Sequence, residues 1–289
     1  MKKNLIILTT GGSGGHVFPA EALATYLKKE NYELAFITDR RGQKRIKGTL
    51  ASIENYSVCA SSVSGRSFVG KIWALSKLAF GTLQAIRILI KSHPKLVIGF
   101  GGYASIPAVL AAQFLHIPVV LHEQNAILGK ANRLLARRTK LIATSFTPTG
   151  QIPRSAKILQ TGMPVRPQII EKADEPYPTD NDEFRLLIIG GSQGARAFSD
   201  ILPKALVALS PELKGKLVLT QQVRAEDMDR VEEEYRNSGI KSLNLSTFFP
   251  DFTPHQSVAY VNSLLVKFIT NSPVSFIILY ECLSGLTDI

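Results

Sequence analysis

Four glycines and a histidine stand close together near the start of the chain, directly after the apolar run 5–8. The run is typical of a strand buried on both faces, and a helix is expected to begin near Phe18, with Pro19 where its missing N–H costs nothing. Glycines let a ligand approach the backbone, and the start of a helix directs free N–H groups toward it. Residues 11–15 therefore predict an anion-binding turn, in which the imidazole of His16 could accept a proton. The alternative is a tight strand-to-helix connection without a ligand.

The same pattern of an apolar strand followed by glycines occurs again at residues 96–103 (LVIGFGGY) and 186–196 (LLIIGGSQGAR). Three such turns favour ligand-binding loops over three tight connections. Asp39 stands about twenty residues past the first glycines, where a dinucleotide fold places a ribose-binding acid. The turn lacks the third glycine of that fingerprint, however, and Asp39 opens a basic run that is typical of a solvated face. A dinucleotide site is therefore the weaker interpretation.

Strand and helix patterns alternate through the first half of the chain, which predicts an α/β fold with a parallel sheet. Further strands are expected at residues 33–38, 95–98, 117–121 and 141–143, the last of these closing the first half. The strand at 117–121 leads into the polar run 122–125 (HEQN). Polar groups at the carboxyl end of a parallel strand lie where open α/β sheets bind ligands. They could instead be hydrogen-bonding groups that fix a loop.

The segment 67–92 is the most amphipathic part of the sequence. We expect a helix that packs on the sheet through an apolar stripe, comprising Ile72, Leu75, Leu78, Ala79, Leu83, Ile86 and Ile90. Phe68, Trp73 and Phe80 lie beside this stripe among lysines and arginines. Aromatic and basic groups in this arrangement suit an anionic bilayer surface, and a snorkelling rim of a soluble helix is the alternative.

Composition and charge limit the class of protein. The 289 residues are 45% hydrophobic, enough for two α/β domains, and contain no uninterrupted apolar stretch long enough to span a membrane. Cys59 and Cys282 form no metal-binding pattern, and a reducing compartment fits them. Residues 1–150 carry 20 lysines and arginines against six acidic residues, a net charge of +14, whereas residues 151–289 carry −3. The basic half suggests an anionic partner: nucleic acid, anionic lipid or a phosphorylated substrate.

Five motifs carry a resemblance to a known family: TTGGSGGHVFPA, GFGGYASIPAVLAA, IPVVLHEQNAILGKANRLLA, GMPVRPQI and IIGGSQGARAFSD, in this order. Over residues 1 to about 252 they closely resemble the MurG family of peptidoglycan glycosyltransferases. The resemblance implies a GT-B fold, in which two Rossmann-like, doubly wound domains face a cleft. It implies an acceptor- and membrane-binding domain at residues 1–162 and an incomplete UDP-sugar-binding domain at residues 163–289.

The resemblance also implies the reaction. N-acetylglucosamine would move with inversion from UDP-N-acetylglucosamine to lipid I, the undecaprenyl-diphosphate-linked muramyl pentapeptide, and give lipid II for the cell wall. No metal or cofactor is implied, and the protein would lie peripherally on the cytoplasmic face of the plasma membrane, at an anionic surface. A nucleic-acid partner is the weakest hypothesis, because it rests on charge alone and no recognition motif accompanies it.

Site residues follow from the resemblance at matching positions. The implied substrate-binding set is Ser13, Gly14, Gly15, Gly101, Gly102, Tyr103, Asn125, Arg166, Ser192, Gln193 and Phe249. The first two glycine turns would meet the acceptor diphosphate and the sugar, the third would meet the nucleotide diphosphate, and Phe249 stands where the family stacks its backbone on uracil. An inverting transfer needs a base. His16 is the first candidate and Glu123 the second, and His16 could instead be a structural hydrogen-bonding group.

The sequence departs from the family pattern in two places. Met163 stands where the family usually has asparagine. The family's later R-x-G-x-x-T-x-x-E segment and glutamine, which hold ribose and sugar, have no counterpart in residues 253–289, where Lys267, Asn271 and Pro273 interrupt an apolar stretch. We therefore expect that a frameshift or an early stop truncated the gene. The alternative function is an impaired form that acts at most as a lipid I or membrane binding module.

Overall fold

The computed structural model describes residues 4–44, 46–62, 67–171, 183–190, 195–247, 249 and 277–279. The chain divides into two compact units, Met1–Ile170 and Glu171–Ile289. The segment 163–170, which the predicted boundary assigns to the second domain, lies in the first unit. The divergent stretch noted in the sequence after residue 252 lies outside the described residues, apart from residues 277–279.

The first unit is built on a seven-stranded parallel sheet with the order β3-β2-β1-β4-β5-β6-β7. Its strands are β1 (Leu5–Thr9), β2 (Glu33–Thr38), β3 (Glu54–Ser57), β4 (Leu96–Gly99), β5 (Val119–Glu123), β6 (Leu141–Thr144) and β7 (Ile158–Gln160). Strand order runs outward in opposite directions from β1 and β4, so the sheet has a topological switch point between them. Doubly wound folds bind ligands beside the carboxyl ends of strands at such a point.

Helices cover both faces of this sheet. They are α1 (Gly14–Lys29), α2 (Arg40–Gln43), α3 (Gly48–Ser52), α4 (Phe68–Ser92), α5 (Ile106–Phe114), α6 (Lys130–Leu135) and α7 (Pro167–Ile170). Leu5 and Ile7 of β1 belong to the core lined by α4 and α5, whereas Ile6 and Leu8 belong to the core under α1. The strand is apolar throughout because neither of its faces meets water.

Helix α1 begins at Gly14, earlier than the predicted start near Phe18. Pro19 therefore lies inside the helix and not at its start. The prediction for Pro19 is wrong, because a proline at this position removes the hydrogen bond that its N–H would make to the preceding turn. Gly14, Gly15 and His16 form the first turn of the helix, whereas Gly11 and Gly12 precede it.

The strands at the two edges of the sheet, β3 and β7, were not predicted from the sequence. Because β7 follows β6, the prediction that β6 is the last strand of this half is wrong. Strand β7 has three residues, all exposed, and β3 has the mostly polar sequence ENYS. Edge strands this short bury too little to impose an apolar pattern on the sequence. Their pairing depends on the neighbouring strand, which local sequence does not reveal.

Helix α4 buries a stripe that differs from the predicted one, although the two share Leu78. The residues that face the interior are Ala74, Leu78, Gly81, Ala85 and Leu89. A Cβ atom at Gly81 would lie 1.8 Å from the carbonyl oxygen of Cys59, so the helix approaches the chain after β3 more closely than any side chain allows. Of the predicted stripe, Leu78 is buried and Ile86 packs against the core. The predicted stripe residues that are exposed instead are Ile72, Leu75, Ala79, Leu83 and Ile90.

By length and composition alone, α4 is the one helix in the described part of the chain that could cross a membrane. The sequence predicts no such segment, because no apolar stretch of this length is uninterrupted. Within the fold, α4 is the crossover helix between β3 and β4, and it packs against α5. Because one face of α4 packs within the fold, only its outer face is exposed.

The second unit has a four-stranded sheet with the order β10-β9-β8-β11, in which β11 is antiparallel to β8. Its strands are β8 (Phe184–Ile189), β9 (Leu217–Gln222), β10 (Ser242–Ser246) and β11 (Ile277–Leu279). Its helices are α8 (Arg196–Val207), α9 (Pro211–Lys216) and α10 (Met228–Tyr235). Leu219, Val223 and Val231 are fully buried in its core. The unit therefore repeats the strand–turn–helix order that the sequence predicted from residue 185 onward.

Candidate functional site

The first two glycine turns lie against each other at the switch point between β1 and β4. The backbone N–H of Gly11 donates to the carbonyl oxygen of Gly101 over 2.9 Å. A Cβ atom at Gly102 would lie 2.8 Å from the Cα atom of Gly11, and φ is 86° at Gly101 and 77° at Gly102. Side chains other than hydrogen fit neither this separation nor these angles. The glycines are therefore required for the contact between the two loops, in addition to any room they leave for a ligand.

The first turn of α1 forms the most open part of this site. Ser13 is the N-cap residue, and its side chain makes no capping hydrogen bond within the part of the chain that the structure describes. The N–H groups of Gly14 and Gly15 have no acceptor within the helix and lie at the positive end of its dipole. Ser13 and Gly15 are exposed, and a Cβ atom at Gly15 would meet no described atom within 4 Å. An anion can therefore approach these N–H groups from solvent.

His16 is half-buried in the same turn of α1, and its ring lies beside the second glycine turn. The ring atom Cε1 would lie 3.4 Å from a Cβ atom at Gly101, and Cδ2 would lie 3.3 Å from one at Gly102. Its Nδ1 atom lies 3.0 Å from Oε1 of Gln124, which follows β5. The ring of the first candidate base is therefore in contact with the loops that follow β4 and β5.

Gln124 and His122 form a buried hydrogen-bonded pair beneath His16. The Gln124 Nε2 atom lies 3.1 Å from the carbonyl oxygen of Phe100 and 3.1 Å from Nδ1 of His122. The Nε2 atom of His122 lies 3.1 Å from the carbonyl oxygen of Gly162. Burial lowers the pKa of His122 below its ordinary 6.5, although the Gly162 carbonyl and the charge of Glu123 oppose the shift. The sequence left open whether residues 122–125 bind a ligand or fix a loop by hydrogen bonds, and it gave no indication of the partners of His122 and Gln124.

Both carboxylate oxygens of Glu123 accept hydrogen bonds from its own loop and from α6. Oε1 accepts from the backbone N–H and the side-chain amide of Asn125, at 3.0 and 2.9 Å. Oε2 accepts from the backbone N–H of Gly129 and the side-chain amide of Asn132, both at 2.9 Å. The side chain is 1% exposed. This geometry favours a structural role for Glu123, the second candidate base, because four N–H donors already occupy its lone pairs.

Asn132 of α6 is a polar residue of this region that sequence reasoning did not select. It is 2% exposed, and its amide nitrogen donates to the carbonyl oxygen of His122 and to Glu123. Because both acceptors fix the orientation of the amide, its Oδ1 atom is directed away from them. That atom is buried and has no hydrogen-bond partner among the described residues, and it would lie 3.4 Å from a Cβ atom at Gly101. Asn132 thus connects the Glu123 loop to the second glycine turn.

Three other residues that the resemblance assigned lie in the first unit. Tyr103 is half-buried and begins the 3₁₀ turn Tyr103–Ser105 after the second glycine turn. Asn125 is held by Glu123, as described above. The guanidinium carbon of Arg166 lies 5.1 Å from the ring centroid of Phe18, a cation–π contact with the helix that carries His16.

The remaining assigned residues belong to the second unit. Ser192 and Gln193 lie outside the described residues, and Phe249 is half-buried. At the start of the third glycine turn, the N–H of Gly190 donates to Oε1 of Gln222 over 3.1 Å. The amide nitrogen of Gln222 donates to the carbonyl oxygen of Thr247 over 3.1 Å. Gln222 therefore joins the ends of β8 and β10 at the carboxyl edge of this sheet.

Comparisons with known proteins agree with this fold. Residues 6–144 match the glycosyltransferase family 28 N-terminal domain. The structure is similar to the crystal structure of Acinetobacter baumannii MurG, with a TM-score of 0.63 and 30% identity, covering 86% of this chain and 69% of that one. It also resembles a UDP-GlcNAc 2-epimerase from Neisseria meningitidis at 13% identity and a TM-score of 0.53, a likeness of fold alone. The fold is therefore the GT-B fold of glycosyltransferases.

Sequence relatives narrow the class to one family. The UDP-N-acetylglucosamine–N-acetylmuramyl-(pentapeptide) pyrophosphoryl-undecaprenol N-acetylglucosamine transferase of Rhodospirillum rubrum is 47% identical over 248 residues, which are 85% of this chain and 63% of that protein. The enzyme of the same name from Paramagnetospirillum magneticum is 44% identical over 254 residues, covering 86% of this chain and 68% of that protein. The chain belongs to this transferase family, the MurG family, and spans about two thirds of the length of these relatives.

Proposed function

We propose that the chain acts in peptidoglycan synthesis as an inverting glycosyltransferase, which moves N-acetylglucosamine from UDP-N-acetylglucosamine to lipid I. The observation that carries this proposal is the contact between two glycine turns at the switch point, with His16 held between them. Open N–H groups at Gly14 and Gly15 suit the diphosphate of the acceptor. The family relationship supplies the identity of the sugar donor and the lipid acceptor.

The chemistry assigned to the site is a single displacement. The 4-hydroxyl of the muramyl sugar attacks the anomeric carbon of N-acetylglucosamine, and the bond from that carbon to UDP breaks with its electron pair. His16 takes the hydroxyl proton, because its Nε2 atom makes no hydrogen bond within the described part of the chain. Glu123 and Asn132 hold the neighbouring loop in place. Ser192, Gln193 and Phe249 are the proposed donor-binding residues, on the family pattern alone.

The diphosphate groups can be bound without a metal by backbone N–H groups and a cation. Gly14, Gly15 and Gly102 are the proposed donors of N–H groups toward the acceptor. Arg166 is the proposed cation, and its contact with the Phe18 ring holds it beside α1. Tyr103 and Asn125 complete the proposed acceptor and sugar contacts.

We also propose that the outer face of α4 attaches the protein peripherally to the cytoplasmic face of the plasma membrane. This face consists of Phe68, Val69, Ile72, Trp73, Leu75, Phe80, Leu83 and Ile90, which are 52% to 78% exposed. Lys71, Lys77, Arg87 and Lys91 surround it, and the Lys77 ammonium lies 5.2 Å from the Trp73 ring centroid. Exposed apolar and aromatic groups edged by cations favour an anionic bilayer surface, which would bring the site to its lipid-linked acceptor.

The transfer is tested by incubating the purified 289-residue chain with radiolabelled UDP-N-acetylglucosamine and a short-chain lipid I analogue, and measuring labelled lipid II. We expect product with the wild-type chain, and a loss of roughly 10²- to 10⁴-fold in rate with His16→Gln, the usual contribution of a general base. His93→Asn, at the exposed end of α4, should leave the rate unchanged. Acceptor binding without transfer would favour a binding module, and neither binding nor transfer would overturn the proposal.

A further inference from the structure

The hydrogen bonds beneath His16 specify which of its ring nitrogens carries hydrogen. We propose that Gln124 is a positioning residue for the proposed transfer: it holds His16 as the Nδ1–H tautomer, so that Nε2 presents its lone pair to the acceptor hydroxyl. The inference rests on the proposed function for its consequence in catalysis. The tautomer itself can be observed without substrate.

The orientation of the Gln124 amide follows from a neighbour that can only accept. A backbone carbonyl oxygen has no hydrogen to donate, so the amide atom 3.1 Å from the carbonyl oxygen of Phe100 must be the NH₂ group. The opposite orientation would bring two oxygens together inside the protein, where Gln124 is only 6% exposed. Oε1 of the amide therefore faces His16.

His122 fixes the same orientation independently. Its Nε2 atom lies 3.1 Å from the carbonyl oxygen of Gly162, so this nitrogen must carry hydrogen. Burial disfavours a second proton on the ring. The Nδ1 atom of a neutral ring with hydrogen on Nε2 is an acceptor, and it lies 3.1 Å from the amide nitrogen of Gln124. The two hydrogens of the NH₂ group are therefore donated to the Phe100 carbonyl oxygen and to His122 Nδ1, and none remains for His16.

The consequence for His16 is a fixed tautomer. Oε1 of Gln124 can only accept, so the ring nitrogen 3.0 Å away, Nδ1, must donate. In the neutral ring Nε2 then has a lone pair, and the ring is held beside Gly101 and Gly102. A free imidazole side chain favours hydrogen on Nε2, so the protein would be selecting the less common form. The chain Gly162–His122–Gln124–His16 therefore links the end of β7 to the proposed base.

The tautomer is measured by nuclear magnetic resonance on the full chain with ¹⁵N-labelled histidine, at about pH 8, above the ordinary imidazole pKa. The His16 signals are assigned by their loss in His16→Gln. We expect ¹⁵N shifts of a protonated Nδ1 and an unprotonated Nε2 for His16. In Gln124→Leu, which removes the acceptor, the His16 pattern should move toward hydrogen on Nε2. His93→Asn, at an exposed histidine outside these hydrogen bonds, should leave the His16 pattern unchanged.

The rate of transfer gives a second, separate measurement. Gln124→Leu should lower kcat by roughly 10- to 100-fold, less than the loss of the base itself, with little change in the KM for the acceptor. His93→Asn, the exposed control, should leave kcat unchanged. A wild-type His16 with hydrogen on Nε2 would overturn the inference whatever the activity. The expected tautomer in a chain that transfers no sugar would instead leave the inference intact and contradict the proposed function.

Discussion

At the scale of single residues, the proposed site depends on groups whose roles come from their partners. His16 could be selected from the sequence because it stands within the glycine turn. Glu123 was the second candidate base. Its four N–H donors belong to residues up to nine positions away, and the local sequence does not predict these hydrogen bonds. Asn132 was overlooked for the same reason, and the run 122–125 did not reveal the partners of Gln124, since an amide becomes informative only when its acceptors are known.

Buried His122 should make the stability of the first unit sensitive to acid. The folded-state pKa of His122 lies below the ordinary value of 6.5, so the unfolded chain binds the proton more readily. The contribution of neutral His122 to stability is fully present above about pH 6.5 and is lost as the pH falls through the folded-state pKa. We therefore expect the melting temperature to fall more between pH 7.5 and 5.5 in the wild type than in His122→Gln.

The comparison needs only the two slopes, because His122→Gln lowers stability at every pH by disturbing the bonds to Gly162 and Gln124. Calorimetry or near-ultraviolet circular dichroism at a series of pH values measures both slopes. His93→Asn, which changes an exposed histidine, should retain the wild-type slope. Equal slopes in the wild type and His122→Gln would contradict the assigned cause.

At the scale of elements, buried strands and glycine turns were predictable and edges were not. The strand β2 matches its predicted bounds, residues 33–38, because its apolar run is long and ends sharply at Asp39. The predicted buried stripe of α4 is mostly exposed, because apolar periodicity does not show whether a stripe packs on the core or lies on the surface. The deciding contact is Gly81 against Cys59, a tertiary contact that leaves the bulky residues on the outside.

The aromatic residues on the outer face of α4 should contribute to membrane binding. Burying one phenylalanine-sized side chain is worth about 1.5–3 kcal/mol, so Trp73→Ser with Phe80→Ser should weaken vesicle binding by roughly tenfold or more. Flotation with vesicles that contain anionic lipid measures the bound fraction. High salt should weaken the wild-type interaction further, because the surrounding lysines and arginines are exposed.

The matched control changes an exposed apolar residue of the second unit. Ile201→Ser removes a side chain that is 63% exposed on α8, and it should leave vesicle binding unchanged. If the double substitution on α4 binds vesicles as well as the wild type does, or if Ile201→Ser has an equal effect, the proposed membrane surface is wrong.

At the scale of the whole molecule, the order of motifs predicted the fold class, two α/β units of GT-B type, and the comparisons agree. The sequence also placed the positive charge in the half that forms the first unit. The sequence does not predict that the first two glycine turns, about ninety residues apart, lie against each other. Strand order across a sheet is decided by packing and not by local pattern. The switch point between β1 and β4 became evident only from that order.

The proposed transfer requires the two glycine turns of the first unit to bind the acceptor diphosphate. Titrating the ¹⁵N-labelled chain with a short-chain lipid I analogue, and following the backbone amide signals of its glycines, tests it most directly. We predict saturable shifts at Gly14, Gly15 and Gly102, a smaller shift at Gly11, whose N–H is already bonded to Gly101, and weak shifts with the same muramyl peptide lacking diphosphate. Unchanged signals at these glycines, or shifts confined to the second unit, would contradict the claim.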